Sequence, residues 1–118
     1  MPEFHKIGAE AEKRAADYLI EQGYTVIVRN FRGGGSEIDL IAMDGDTVVF
    51  VEVRSRRSSA WAGPEESVDE AKQRRLWKTA EFYLAEIAGK EMPARFDVIA
   101  IEGETVRHHM DAFRPALP

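Results

Sequence analysis

A chain of 118 residues with 44% apolar and 31% charged side chains is long enough for one packed core and has the balance of an ordinary soluble fold. The absence of cysteine excludes disulfide frameworks and thiolate metal sites, and no apolar run nears the roughly 20 residues of a membrane helix. A formal net charge of -5 argues against a surface built wholly to coat nucleic acid. The cations are nevertheless clustered, with Arg54, Arg56 and Arg57 in one group and Lys72, Arg74, Arg75 and Lys78 in another, so a local basic groove stays open. With no signal-peptide pattern at its start, the protein is expected to be cytoplasmic.

In chain order, Ile7, Ala11, Ala15, Tyr18 and Leu19 recur at helical spacing and predict a helix from Ile7 to Gln22, ended by Gly23. Glu10 borders that apolar stripe, one turn from Arg14; its plain reading is a surface salt-bridge residue. Tyr24 to Phe31 is a β-branched and aromatic strand, followed by the turn Arg32-Gly33-Gly34-Gly35. The glycine spacing fits neither the dinucleotide fingerprint nor a P-loop, so this reads as a flexible hairpin loop that could still sit over a substrate backbone.

Ser36 to Arg56 predicts two strands joined by a tight turn at Asp44-Gly45-Asp46. Both strands carry apolar residues on both faces, the pattern of central strands covered on each side. Arg57 to Glu66 reads as a mobile loop at the mouth of the sheet. Its Trp61 is either a stacking platform for a base or a residue that packs down. Ser67 and Glu70 form a capping-box signature that opens a second helix with the stripe Val68, Leu76, Thr79, Ala80, Tyr83, Leu84 and Ile87. Lys72 falls on the inward stripe, where it must snorkel to the edge or face an anion. Gly89 and Pro93 close this helix.

Two strand-like runs follow, Arg95 to Glu102 and Thr105 to His109, and Asp111 to Pro118 reads as an irregular tail. His108 and His109 are adjacent on a strand and point to opposite faces, so they cannot share a metal; both read as exposed edge residues. The order is helix, three strands, helix, strand and one further strand. That predicts an α/β fold with a mixed sheet flanked by helices. One domain is expected across residues 1–118, with 1–6 and 114–118 as flexible ends.

The chemistry concentrates on Asp39 and Glu52. Each is an ionisable group inside an apolar strand, where a carboxylate is costly unless paired or bound to a metal. Glu52 and Arg54 share a side of their strand, and Asp39 on the neighbouring strand is placed to converge on Glu52. Two carboxylates so placed repel each other, and a divalent cation would relieve the repulsion. Oxygen ligands of this kind suit Mg²⁺ or Mn²⁺, and a cation beside them could hold a scissile phosphate. The implied reaction is phosphodiester hydrolysis, with Glu10 as a third carboxylate if the first helix packs over the sheet edge.

An aspartate, a dozen or so residues and then Glu-x-Lys on a central hairpin, after a glutamate-bearing helix, resembles the PD-(D/E)XK nuclease superfamily and, within it, the archaeal-type Holliday-junction resolvases. More closely, RNFRGGGSEIDLIAMDGDTVVFVEVRSR, ESVDEAKQRRL and RFDVIAI resemble the uncharacterised bacterial YraN family, over Gly8 to about Phe113. The resemblance implies a restriction-endonuclease-like core of helix, three strands, helix and strand. It further implies metal-binding carboxylates at Glu10, Asp39 and Glu52, a Mg²⁺ or Mn²⁺ cofactor, DNA as partner and a symmetric homodimer.

One position departs from the superfamily pattern: Arg54 stands where lysine is usual, and arginine cannot readily lose a proton to act as a base. Lys72 is then the candidate replacement. The catalytic set is thus Glu10, Asp39, Glu52, Arg54 and Lys72, with Arg32, Arg56, Arg57, Lys72 and Arg75 as phosphate-binding cations. Three functions stay open: a metal-dependent endonuclease acting on structured or branched DNA, a nucleic-acid-binding module that kept the fold without turnover, or a purely structural or protein-partner domain.

Overall fold

In the computed structural model, which describes residues 3–56 and 68–114, the chain runs α1 (Glu3–Glu21), β1 (Thr25–Gly33), β2 (Ser36–Asp44), β3 (Thr47–Arg56), α2 (Glu70–Phe82), β4 (Ala94–Glu102) and β5 (Thr105–Phe113). All five strands form one sheet in chain order. Neighbours are antiparallel except β3 and β4, which run parallel because α2 carries the chain back between them. This is the mixed α/β architecture the sequence predicts, and it is compatible with a restriction-endonuclease-like core. None of the described helices is long and apolar enough to cross a membrane.

The two helices cover opposite faces. Ala11, Ala15 and Ala16 keep α1 slim, so that it and Leu19 lie close on Leu40, Ala42, Val49, Val51, Ile99 and Ile101. The α2 side is aromatic instead: Phe50 stacks on Phe96 and Phe96 on Phe113, while Trp77 meets both Phe50 and Phe96 edge-on. With both faces covered, β3 and β4 can be apolar almost throughout, which explains their unbroken runs.

Several local expectations need correction. Helix α2 is capped by Asp69, whose carboxylate accepts the Lys72 N–H at 2.8 Å; Ser67 lies outside the described residues, as do Arg57 and Trp61. Ile87 is not on the buried stripe but 59% exposed, and Trp77 takes a core place instead. The cause is a π-helical turn over Tyr83–Ala88, whose wider turn carries Ile87 off the apolar face.

The glycine turn is not a free loop. The Thr79 hydroxyl donates to the Gly33 carbonyl at 2.7 Å and the Ser36 hydroxyl to the Arg75 carbonyl at 3.1 Å, which pins the hairpin to α2. A Cβ at Gly33 would meet the Phe82 ring at 2.7 Å, and Gly34 has φ 62, so the close approach needs both glycines.

The end of the chain also differs from expectation. Strand β5 continues to Phe113 because Asp111 adopts a left-handed backbone with φ 53 and shifts the register between Phe96 and Val98. That turn aims the Asp111 N–H at the fully buried Asp97 at 2.9 Å. Arg95 forks onto the same carboxylate at 3.0 and 3.3 Å, and His108 Nε2 stands 2.7 Å away. His108 Nδ1 in turn meets the Tyr18 hydroxyl at 3.1 Å. His108 is therefore buried, with its side chain 7% exposed, rather than an edge residue. Arg95 continues to the Tyr24 hydroxyl at 2.7 Å and to Asp44 at 3.1 Å, tying α1, β2, β4, β5 and the residue before β1 through one polar centre.

Burial by itself would push the Asp97 carboxyl up, but His108, Arg95 and the Asp111 N–H together hold it below its ordinary value. A depressed carboxyl contributes stability above its unfolded pKa and loses it as the pH falls. Removing the carboxylate leaves Arg95 buried without its main partner. Asp97→Ala should thus cost about 3 kcal/mol or more in urea unfolding at pH 7, with the deficit shrinking below about pH 4. A loss under about 1 kcal/mol would contradict this account of the network.

Candidate functional site

The site begins where a ladder ends. Strands β2 and β3 pair from Asp44↔Thr47 to Leu40↔Val51, and the pairing goes no further. Beyond that point β2 stays with β1, through Phe31↔Ile38 and Arg32↔Glu37. Ile38 packs in the α2-side core and Leu40 in the α1-side core, a switch of face that strict alternation does not give. The strand turns over at Asp39. Opposite, Asn30 of β1 has a left-handed backbone with φ 53, and its strand changes face at the same level.

Asp39 fills the gap. Its Oδ2 accepts the Val53 N–H at 2.8 Å, a backbone donor released by the end of the ladder. Glu52, on the side of β3 that faces α2, is 5% exposed and stands next to the Asp39 carboxyl, close enough for their charges to repel. The sequence expectation that these two acids converge agrees with this geometry. On the α2 side, Lys72 Nζ lies 2.5 Å and Arg54 3.3 Å from Glu52 Oε2. Lys72 has not snorkelled away; it faces an anion.

The acid that α1 contributes is Glu12, not Glu10. Glu12 accepts from the Asn30 amide at 2.9 Å and faces Asp39, Glu37 and Glu52, whereas Glu10 is exposed. Two residues along a helix is roughly 200° of rotation, so both cannot face the sheet. The signal was present in the sequence: Glu12 stands three, four and seven residues before Ala15, Ala16 and Leu19, all fully buried. Glu37 joins the group from β2, with exposed Arg32 3.6 Å from its carboxylate. Arg75 is exposed on α2; the Arg56 side chain, like Arg57, lies outside the described residues.

Burial foremost, then the charge of Glu52, pushes the Asp39 carboxyl up to about 8 against one opposing hydrogen bond from Val53. Glu12 is likewise raised, first by burial and then by Glu37 and Glu52, with Asn30 opposing. The repulsion between Asp39 and Glu52 is what a bound cation would relieve. Among the described residues no three acidic or imidazole groups stand together at metal-holding spacing. Mg²⁺ and Mn²⁺ do not need three: one or two carboxylates suffice, with water and substrate phosphate completing the shell. The donor set, all oxygen, fits such an ion.

Comparison with known proteins bears on the whole arrangement. A family model described as an uncharacterised protein family, UPF0102, matches residues 11–101. A UPF0102 protein of Persephonella marina is 46% identical over 108 residues, covering 90% of this chain and 91% of its own. Another, from Thermodesulfovibrio yellowstonii, is 44% identical, covering 92% and 96%. A third, from Pseudomonas syringae pv. syringae, reaches 51% over 98 residues, covering 82% and 80%.

A carboxyl raised on folding stabilises the protein below its unfolded pKa and loses that contribution as the pH climbs through its folded value. Metal-free protein should therefore lose stability as the pH rises from about 4 to about 8, the window between the ordinary carboxylate range and the raised value of Asp39. Asp39→Asn should flatten that slope and melt above wild type at pH 8.5. Parallel melting curves of the two proteins across the window would rule Asp39 out as the titrating group.

Proposed function

The chain belongs to the uncharacterised UPF0102 (YraN) family, and on that footing we propose that it is a metal-dependent nuclease hydrolysing phosphodiester bonds of structured or branched DNA. The observation that carries the reading is the Asp39–Glu52 contact in the parting of β2 and β3, with Lys72 and Arg54 on the Glu52 carboxylate. Asp39 and Glu52 would hold the ion, and Glu12 stands beside them as a third acid. When bound, Mg²⁺ or Mn²⁺ supplies a polarised phosphoryl oxygen and a water acidified toward neutral pH.

The remaining work falls to the chain. Lys72 reaches the site from α2 rather than from β3, and so brings an ammonium to the place that Arg54 leaves without lysine. It is positioned to hold a phosphate oxygen or to orient the attacking water. Arg54, always charged and able to fork onto phosphate, is suited to neutralising charge that builds up in the transition state. Arg32 beside Glu37 and Arg75 on α2 extend the positive rim on which a DNA backbone would lie. A symmetric pair of chains, as the resolvase resemblance implies, would present one such site to each of two strands.

One feature favours a second reading. Glu52 already carries two cations, and a carboxylate so neutralised is a weaker metal ligand. In that reading the same face grips DNA without turnover: affinity falls steeply with salt, Mn²⁺ changes nothing and no product forms.

Cleavage of junction, flap and linear DNA with Mg²⁺ or Mn²⁺ decides between them. Asp39→Ala and Glu52→Ala should each lower the rate by on the order of 100-fold or more, as should Lys72→Ala, while Glu10→Ala stays within about twofold. Equal cleavage by wild type and both carboxylate variants would place the chemistry elsewhere.

A further inference from the structure

Asn30 is a surface residue in mid-strand, yet its backbone is left-handed, a conformation uncommon outside glycine and best tolerated by asparagine and aspartate. Were the backbone turn all that mattered, glycine would serve there with less strain. The side chain therefore needs its own account. With its nitrogen turned toward them, the Asn30 amide donates to Glu12 Oε1 at 2.9 Å and to Glu37 Oε1 at 3.1 Å. An amide nitrogen has two hydrogens, so one side chain can serve both acids together. Those acids come from different elements, Glu12 from α1 and Glu37 from β2.

From this geometry we infer that Asn30 is a positioning residue. It holds Glu12 against Asp39, acting on the bound cation through that carboxylate rather than touching it, and its second hydrogen only ties Glu37 to the rim. The inference rests on the metal-site reading above. It adds that β1, which contributes no acid, sets the geometry of the acids on either side. Without the amide, two like charges face each other at the edge of the site, and each is free to swing toward solvent.

Calorimetric titration with Mn²⁺ alone, without DNA, tests this in wild type, Asn30→Gly, Glu12→Gln and the double variant. Glycine keeps the left-handed turn, so Asn30→Gly should melt within a few degrees of wild type in the absence of metal. Its Mn²⁺ affinity should nevertheless fall about ten- to a hundredfold, the usual effect of removing a group that orients a ligand. Glu12→Gln should lose a similar factor, and the double variant no more than Glu12→Gln, because the amide acts through that carboxylate. Equal Mn²⁺ affinity in wild type and Asn30→Gly, or losses that multiply in the double variant, would overturn the role of Asn30 while leaving the metal site intact. A wild type that takes up no Mn²⁺ would overturn the metal reading itself and the role of Asn30 with it.

Discussion

Strands β2 and β3 cease to pair after Leu40 and Val51, and the rest of the site follows from that parting. A backbone N–H in the middle of a sheet cannot be left without an acceptor, and here the Asp39 carboxylate replaces the missing strand partner. That bond fixes Asp39 in the gap. Glu52 is the next residue along β3 from the last ladder pair, so the two acids are brought into contact by the backbone itself. Helix α1 can then present Glu12 from one face of the sheet and α2 can present Lys72 from the other.

The sheet holds two aspartates, Asp97 fully buried and Asp39 partly so, and treats them oppositely. Asp97 has a forked arginine, a histidine and a backbone N–H around it, and its carboxyl is held below the usual range. Asp39 has one backbone donor and two acidic neighbours, and its carboxyl is pushed up. The first is a closed network whose every partner is already supplied, which is what a structural centre requires. The second keeps a carboxyl pushed up by burial and by acidic neighbours, and such perturbed groups cluster at functional sites. The contrast between them, within one fold, supports the reading of Asp39 as a candidate for chemistry and of Asp97 as architecture.

Much of this was legible in the sequence. Asp44-Gly45-Asp46 gave the hairpin, the unbroken apolar runs gave the doubly covered strands, and two carboxylates inside them gave the site. Lys72 could be placed because its spacing from Val68 and Leu76 put it on an inward face. What the sequence hid depends on departures from ideal periodicity. The π-helical turn moved Ile87 outward; the left-handed residues Asn30 and Asp111 changed strand faces and register. Glu10 borders the stripe through Ile7 and Ala11, but the stripe also runs through Ala16, which turns Glu12 toward the sheet, and a small residue signals burial weakly. His108 looked exposed because its partners, Asp97 and Tyr18, are distant in sequence and meet only in the folded sheet.

The central claim is that the Asp39–Glu52 contact is a cation site. Its most direct test is anomalous diffraction from a crystal soaked in Mn²⁺ above pH 8, where Asp39 has released its proton. The account predicts one strong peak between the Asp39 and Glu52 carboxylates, within ligand distance of both. A soaked crystal with no peak there would contradict it.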